Sequence, residues 1–450
     1  MNSTISRSGL LALAVLSVAA CSSDRGTNVL PEASDTAAFN RGQSGDKGDK
    51  GNKKEAAGAV YSMSNDIRKN TIVVFNRDEG GKLRPAGTYE TGGRGSGGFE
   101  DAANGVVLGD ANGESAPNNL TDATRFLFVV NAGSNSISVF RVNEDDAANG
   151  KKDALELVSV HASGGEKPVS LTVNRGLLYV LNSGETIDGE IATANCTTGA
   201  LPSITGFRVN AAGGLTPIAG STRQLSGDAN SGCAQVSFNP AGTVLVVTER
   251  LALADGPPGP VGDEGVINTF VLNGDGTPGA HQVVDATGEG PFGFTFNKAG
   301  ALLTTEQFDG PKGPGRGAAA GYTLSATGML TPSSASVQNG GTDTCWFVVT
   351  DNGVYGYTTS FFEGGRISLY QVGTNGSLSL VQTNADHGAA GTGASDMALS
   401  LESDYLYQLN SFEGTINQFR VGASGSLTLV STVHAHAPSK TAAPMGLAAR

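Results

Sequence analysis

Two glutamates end a recurring type of apolar segment and are the first candidates for chemistry in this sequence. LVVTE ends at Glu249 and LLTTE ends at Glu306, whereas the related segments end mostly in Asn, a residue suited to capping a turn. Two carboxylates that meet at one site could share acid–base work or hold a divalent cation. Arg250, next to Glu249, is a third catalytic candidate. The alternative is that Arg250 and other cations pair with both carboxylates in a solvated network.

Four further residues are candidates for binding a substrate. Arg94 lies in the Gly-rich run TGGRGSGG and could clamp a carboxylate group. His387 lies in a connection between two repeats and is the histidine expected to face the candidate site. Trp346 and Asp396 lie near the starts of two expected inner strands, where they could line a channel or pack between repeats. The histidines show no metal-binding spacing, so no metal ligand is assigned to them.

The segments that carry these residues belong to a repeat of strands. FLFVVNAGSNSISVFRV begins at Phe126 and YLYQLNSFEGTINQFRV begins at Tyr405, with the same length and aromatic placement. Alternation of apolar and polar residues, rich in aromatic and β-branched side chains, predicts strands. A Gly-x-Leu hairpin follows each unit, and a strand that ends in a turn precedes it. One unit is therefore one propeller blade, because such units bury their faces only by stacking round an axis.

The repeat predicts an all-β fold, a seven-bladed β-propeller with four antiparallel strands per blade. The expected blades are 59–93, 103–165, 167–227, 232–290, 291–341, 343–393 and 394–431. The last residues, 443–450, repeat the first strand of a blade, so a C-terminal strand closes the ring and removes its open edge. Six or eight blades are the alternatives, since the opening of blade 2 is irregular.

One rim of this ring is expected to carry the site. The second strands end there, at Asn65, Asn131, Asn182, Glu249, Glu306, Thr359 and Asn410. The longest loops follow the second strands of blades 3, 4 and 5, at 183–203, 250–265 and 307–318. Long loops on one face are typical of a binding side.

The N-terminus indicates export. Residues 1–21 have one cation, an apolar run and Val18-Ala-Ala-Cys21, which is typical of a lipoprotein signal peptide with Cys21 as the lipidated residue. Residues 22–57 are expected to form a flexible, polar and Gly-rich tether, and 58–450 form the propeller. We expect an outer-membrane lipoprotein that faces the periplasm or the exterior and contacts the membrane only through its lipid.

The cysteines suggest one disulfide, and the net charge limits the kinds of binding partner. With Cys21 lipidated, a disulfide between Cys196 and Cys233 would tie the blade 3 loop to the start of blade 4, leaving Cys345 as a buried thiol. The net charge of −13 and the lack of a basic stripe argue against a nucleic-acid partner. A monomer is expected.

The blade motifs resemble those of the lactonase family of seven-bladed propellers, which includes 6-phosphogluconolactonase-like proteins and carboxymuconate cyclase. The resemblance covers residues 58–450 and is carried by GxLxVV(N/E), NSISVFRV, GSLTLV and TGGRGSGG. It implies opening, hydrolysis or formation of a lactone, with His, Arg and Glu at the channel mouth. Glu249 in TERL matches the family's Asn-Glu-Leu. The family's Pro-Arg-His is replaced by Gly232-Cys-Ala.

Two functions are expected from this combination. The first is an exported lactonase-like enzyme, a carboxylic-ester hydrolase or a lactonizing cyclase, which acts on a lactone of a sugar acid or a carboxylated ring. The only cofactor expected for it is a divalent cation. The second is a non-catalytic envelope scaffold that binds a protein or a glycan through its long-loop rim. The paired carboxylates favour the enzyme, whereas the missing His and the lipid anchor favour the scaffold.

Overall fold

Short strands with alternating side chains dominate the structure, a computed structural model. It describes residues 57–99, 102–109, 126–143, 154–185, 196, 199–252, 265–308, 310–391, 393–439 and 444–450. The signal peptide, Cys21 and nearly all of the tether lie outside these ranges. Within them the helices are two single 3-10 turns, Ala132–Ser134 and Gly310–Lys312.

The first three blades confirm the expected repeat of antiparallel strands. Blade 1 contains β1 (Gly58–Met63), β2 (Thr71–Arg77) and β3 (Leu83–Glu90). Blade 2 contains β4 (Val106–Gly109), β5 (Phe126–Asn131), β6 (Ser136–Val142) and β7 (Leu155–Ala162). Blade 3 contains β8 (Pro168–Asn174), β9 (Leu177–Asn182), β10 (Ser203–Val209) and an outer strand in two parts, β11 (Leu215–Pro217) and β12 (Arg223–Gln224).

The remaining four blades have the same order of strands. Blade 4 contains β13 (Cys233–Phe238), β14 (Val244–Glu249), β15 (Val266–Leu272) and β16 (Pro278–Asp285). Blade 5 contains β17 (Pro291–Phe296), β18 (Leu302–Glu306), β19 (Ala318–Leu324) and β20 (Leu330–Gln338). Blade 6 contains β21 (Thr344–Val349), β22 (Tyr355–Ser360), β23 (Arg366–Val372) and β24 (Leu378–Gln382). Blade 7 contains β25 (Ala394–Leu399), β26 (Tyr405–Asn410), β27 (Thr415–Val421) and β28 (Leu427–His434).

A C-terminal strand closes the ring, as the sequence predicts. Strand β29 (Leu447–Ala449) pairs antiparallel with β1, with Val60 opposite Ala449 and Ser62 opposite Leu447. Blade 1 is thereby completed to four strands, and the ring has seven blades.

Burial falls from the axis outward and explains the residue pattern of each blade. Inner strands such as β17 and β25 are buried along their whole length, because neighbouring blades cover both of their faces. In outer strands such as β20 and β28, every residue after the buried first leucine is exposed or half-buried. We call the face where inner strands begin and second strands end the rim face, and the other the opposite face.

Candidate functional site

The residues that end the second strands occupy one structural position in most blades. Four of them pair with the first residue of their own inner strand: Asn182, Glu249, Glu306 and Asn410. In blade 6 this position belongs to Ser360, which pairs with Thr344, and Thr359 lies one residue earlier in the ladder. The repeat therefore places both glutamates at the rim ends of β14 and β18.

Glu249 is fully buried and is held by the connection that enters blade 4. Its Oε2 accepts hydrogen bonds from the backbone N–H of Ser226 at 3.0 Å and from Nδ2 of Asn268 at 2.7 Å. Burial raises the pKa of this carboxyl, and hydrogen bonds, first of all from Ser231, oppose that change. Because Asn268 lies on the third strand of the blade, the carboxylate points away from the channel.

Glu306 makes the equivalent contact one blade further on. Its Oε1 accepts a hydrogen bond from Oγ1 of Thr287 at 3.0 Å, and burial raises the pKa of the carboxyl. In blade 2, Oδ1 of Asn131 accepts a hydrogen bond from Oγ1 of Thr91 at 2.7 Å in the same way. Since Thr91 and Thr287 both lie in connections between blades, Glu306 fastens its connection as an asparagine does elsewhere.

The structure does not bring the two glutamates together at the channel mouth. Glu249 is bonded to the connection between blades 3 and 4, and Glu306 to the connection between blades 4 and 5. Neither belongs to the described residues that line the channel cavity. These hydrogen bonds indicate that each glutamate holds in place the connection that enters its own blade, a contact that we call the seam between two blades.

The three basic candidates lie at three separate blades of the rim face. Nη2 of Arg94 donates to the backbone oxygen of Gly133 in the turn of blade 2, at 2.9 Å. Arg250 follows Glu249 in blade 4, and its backbone N–H donates to the oxygen of Gly232. His387 is exposed in the connection into blade 7. They therefore do not form one anion-binding site in this conformation.

Asp396 and Trp346, in contrast, line the same cavity in the channel. Asp396 is 5% exposed, and its Oδ2 accepts a hydrogen bond from the backbone N–H of Leu447 in the closing strand, at 3.2 Å. Burial raises the pKa of Asp396 to about 7, although N–H donors from Leu447 and Met397 lower it. Trp346 is 2% exposed, and its indole N–H has no hydrogen-bond partner among the residues that the structure describes.

Aromatic rings and a crossing segment close the channel at the rim face. Phe99 follows the Gly-rich run, and its ring lies 4.9 Å from that of Phe361 and 6.2 Å from that of Phe412. Further along the same segment, the backbone N–H of Ala103 donates to the oxygen of Ala234 in blade 4. The segment that enters blade 2 thus crosses the mouth of the channel. The sequence pattern does not predict this crossing, and the only signals of it are the phenylalanines in GSGGF, SFFEG and SFEG.

The cavity beneath this crossing has a volume of about 80 Å³, enough for several water molecules. Asn104, with a left-handed φ of 62°, lines its rim end, and Pro240, which lies beyond the end of β13, lines its other end. The cavity therefore runs from the crossing segment towards the opposite face. Among the described residues that line it, Asp396 is the only one with a charged side chain.

This arrangement can perform acid–base chemistry near neutral pH. A carboxyl whose pKa is about 7 is present in both protonation states there, which suits a general base. An unpartnered, buried indole N–H is a donor that could stabilise a developing oxyanion in a site of low polarity. We therefore take these two groups as the candidate catalytic pair of the channel, whose lining also includes the polar residues Asn104, Gln235, Ser237 and Thr295.

The structure also describes the cysteines, the possible metal ligands and the helices. Cys196 and Cys233 form a disulfide that ties the blade 3 loop to the first residue of β13, and Cys345 is a buried thiol outside that disulfide. Of the residues that the structure describes, no group of three or more His, Cys, Asp and Glu could hold a metal ion. Across the same residues, no helix has the length and apolar character needed to cross a membrane.

Comparison with known proteins supports the fold. No family model and no curated protein match the sequence. The structure is similar to two candidate 6-phosphogluconolactonases. The one from Bacteroides fragilis has 17% identity and a TM-score of 0.60 over 89% of this chain and 100% of that chain. The one from Bacteroides uniformis has 14% identity and a TM-score of 0.60 over 87% and 99%.

A periplasmic gluconolactonase of Pseudomonas aeruginosa is also similar, with 15% identity and a TM-score of 0.57 over 85% of this chain and 98% of that chain. At these identities the comparisons show a shared architecture. The chain therefore has the fold of lactonase-type propellers.

Proposed function

We propose that this protein is an exported lactonase-type hydrolase whose working site is the channel cavity at Asp396 and Trp346. One observation carries the proposal: a carboxyl with a pKa of about 7 and an unpartnered indole N–H line the same cavity. The similarity to gluconolactonase-type propellers supports the class of reaction. The seam contacts of Glu249 and Glu306 give those residues a supporting role.

The proposed reaction is hydrolysis of a cyclic ester. The Asp396 carboxylate takes a proton from water as the water oxygen bonds to the lactone carbonyl carbon, and the indole N–H of Trp346 stabilises the resulting oxyanion. The ring C–O bond then breaks, and the proton on Asp396 passes to the leaving alkoxide. The product is the hydroxy acid, and no other reactant is consumed.

A pH-indicator assay of the purified protein against a panel of lactones tests this proposal. We expect turnover in wild type and in Glu249→Gln, and a loss of about 100-fold or more in Asp396→Asn. Circular dichroism verifies that each variant is folded. Absence of turnover over the whole panel would exclude the proposed lactonase activity. Equal activity of wild type and folded Asp396→Asn would exclude Asp396 as the general base.

A second candidate function is a scaffold that binds an envelope protein or a glycan through the rim face. The closure of the channel mouth by Phe99, Phe361 and Phe412 favours it, because a closed mouth suits a binding platform. Phe362 is half-buried beside this cluster, with its ring 5.0 Å from that of Phe361, and Val381 lies exposed on the outer strand β24. Cross-linking on intact cells, followed by identification of partners that are lost in Phe362→Ala but kept in Val381→Ala, tests the scaffold. Failure to capture any rim-dependent partner, together with lactone turnover, would exclude the scaffold.

Export and lipid attachment at Cys21 belong to the same proposal. The disulfide between Cys196 and Cys233 supports an oxidising compartment. We expect a metabolic fatty-acid label to be incorporated into wild type and not into Cys21→Ala, and the wild-type protein to fractionate with the outer membrane. Labelling of both proteins, or of neither, would contradict lipid attachment at this residue.

A further inference from the structure

Phe361 departs from the repeat at a position that the structure defines in blades 3 to 7. In each of these blades, the residue after the second strand donates its backbone N–H to the oxygen of the residue that precedes the inner strand. The residues at this position are Ser183, Arg250, Gln307, Phe361 and Ser411. Phe361 is the one apolar side chain among these five, so the repeat itself does not require a phenylalanine in blade 6.

The ring of Phe361 separates Trp346 from the rings at the surface of the rim face. Phe361 is 1% exposed, and its ring centroid lies 6.3 Å from that of Trp346. It also contacts three half-buried rings, those of Phe99 at 4.9 Å, Phe362 at 5.0 Å and Phe412 at 5.0 Å. A molecule that approaches the indole from the rim face therefore has to displace the Phe361 ring.

The channel cavity has room for water but not for a lactone ring. Its volume is about 80 Å³, whereas an engineered cavity that holds one benzene molecule has a volume of about 150 Å³. A δ-lactone, with a six-membered ring and a carbonyl oxygen, is larger than benzene. The cavity runs towards the opposite face, where Pro240 lines its end. Water can enter on that side, and a lactone needs a second, wider route.

The turn that carries Phe361 is held in an unfavourable conformation. Its residues Glu363, Gly364 and Gly365 have consecutive left-handed φ values of 57°, 86° and 70°. This conformation suits glycine but not glutamate. The Glu363 side chain is tied to the connection that enters blade 6, because Oγ1 of Thr342 donates to its Oε2 at 2.5 Å. Loss of this hydrogen bond would free the turn to relax and to carry Phe361 with it.

We propose that Phe361 is the gate residue of the channel site. Its ring closes the rim-face route to Asp396 and Trp346, and displacement of the turn 361–365 opens this route for a lactone while water uses the channel. The inference rests on the proposed function for the identity of the ligand, and it extends that function by assigning the residue that limits the size of the substrate. The gate itself is measurable without turnover.

Acrylamide quenching of tryptophan fluorescence measures access to the site, because Trp346 is the only Trp in the sequence. We expect the quenching constant of Phe361→Ala to exceed that of wild type by about fivefold or more, and Phe361→Leu to restore most of the protection. Phe140 is also 1% exposed and lies on the third strand of blade 2, so Phe140→Ala should leave quenching unchanged. Equal quenching in wild type and folded Phe361→Ala, or an equal rise in Phe140→Ala, would overturn the gate.

Glu363→Ala tests the movement while the Phe361 ring remains in place. The variant keeps the left-handed backbone but loses the acceptor of Thr342, so we expect quenching to rise by about twofold or more. The matched control is Ser403→Ala on the opposite face. Ser403 has a φ of 59°, and its Oγ accepts the backbone N–H of Asp351 at 2.8 Å. A rise in Phe361→Ala without one in Glu363→Ala would make Phe361 a static plug and overturn the gate.

Turnover of two lactones separates this inference from the proposed function. In Phe361→Ala, we expect the ratio of kcat/KM for glucono-δ-lactone to that for γ-butyrolactone to rise about tenfold over wild type. An unchanged ratio would contradict the size limit. Increased quenching without turnover of any lactone would support the gate and overturn the lactonase. Turnover with equal quenching in all variants would keep the lactonase and overturn the gate. If Phe361→Ala fails to fold, Phe361→Leu and Glu363→Ala decide.

Discussion

Asp396 has counterparts in other blades that show what its position requires. At the third residue of their inner strands, Oγ of Ser170 accepts the N–H of Val236 at 3.1 Å, and Oε1 of Gln235 accepts the N–H of Phe294 at 2.9 Å. Asp396 accepts the N–H of Leu447 in the corresponding way, at 3.2 Å. Uncharged side chains are therefore sufficient to join neighbouring inner strands. A buried carboxyl at this place adds a desolvation cost, which indicates a chemical role.

The raised pKa of Asp396 predicts a pH-dependent stability. Because the folded pKa of about 7 lies above the ordinary 3.8, the folded state holds the proton more tightly, and stability falls as the pH rises from about 4 through 7. The difference corresponds to about 4 kcal/mol at most. Asp396→Asn keeps an acceptor for Leu447 without the ionisation. We expect the variant to lack most of this fall.

Urea unfolding at pH 5 and pH 8 measures the effect. Asp396→Asn should have a larger free energy of unfolding than wild type at pH 8, and this difference should be clearly smaller at pH 5. Parallel pH dependences of the two proteins would contradict a buried Asp396 that titrates near neutrality.

The seams between blades explain why two glutamates stand where asparagines recur. Both sit at the rim end of a second strand, and both accept hydrogen bonds from the connection that enters their own blade. The contact needs an acceptor, and Asn131 provides one without a carboxylate. The identity of the acceptor is therefore interchangeable at this element, provided that it is polar.

The variants Glu306→Gln and Glu306→Ala distinguish a structural role of Glu306 as a hydrogen-bond acceptor from a catalytic role of its carboxylate. The glutamine keeps an acceptor for Thr287 and removes a buried carboxyl whose pKa is raised by burial, so we expect less than about 1 kcal/mol of change in stability. The alanine leaves Thr287 without that acceptor, and we expect a loss of roughly 1–3 kcal/mol. Urea unfolding compares the two. A larger loss in Glu306→Gln than in Glu306→Ala would contradict the seam role.

The strands were predictable from the sequence because period-2 alternation and recurring turns report on local backbone geometry. The same repeat places Glu249 and Glu306 at the rim. It does not give the direction of their side chains, which depends on connections such as the one at Ser226. Trp346 and Asp396 were expected to line a channel or to pack between blades, and both line the cavity. The crossing of Phe99 over the mouth depends on contacts between distant blades and has no local pattern.

At the scale of the whole molecule, the ring depends on a very short strand. Strand β29 joins the first and last blades through the register Val60–Ala449 to Ser62–Leu447, and its three residues are buried. Asp396 and Ser411 add hydrogen bonds to Leu447 and Pro444. The site and the closure of the ring therefore share Asp396.

Deletion of residues 444–450 should open the ring. It exposes the edge of β1 and removes the buried side chains of Met445 and Leu447. We expect a fall of several degrees in the thermal midpoint and self-association through the free edge. Circular dichroism melting and light scattering measure both effects. A deletion variant that is monomeric with an unchanged midpoint would contradict closure by β29.

The pH dependence of kcat/KM, measured with the lactone of the panel that is hydrolysed fastest, tests whether Asp396 is the general base. With Asp396 as the base, kcat/KM rises with pH, reaches half of its maximum near the pKa of about 7 and levels above it. Glu306→Gln should show the same profile, because that residue lies outside the cavity, and Asp396→Asn should lose the activity that follows this ionisation. A profile without an ionisation near 7, or one that disappears in Glu306→Gln and persists in Asp396→Asn, would contradict the role of Asp396 as the base.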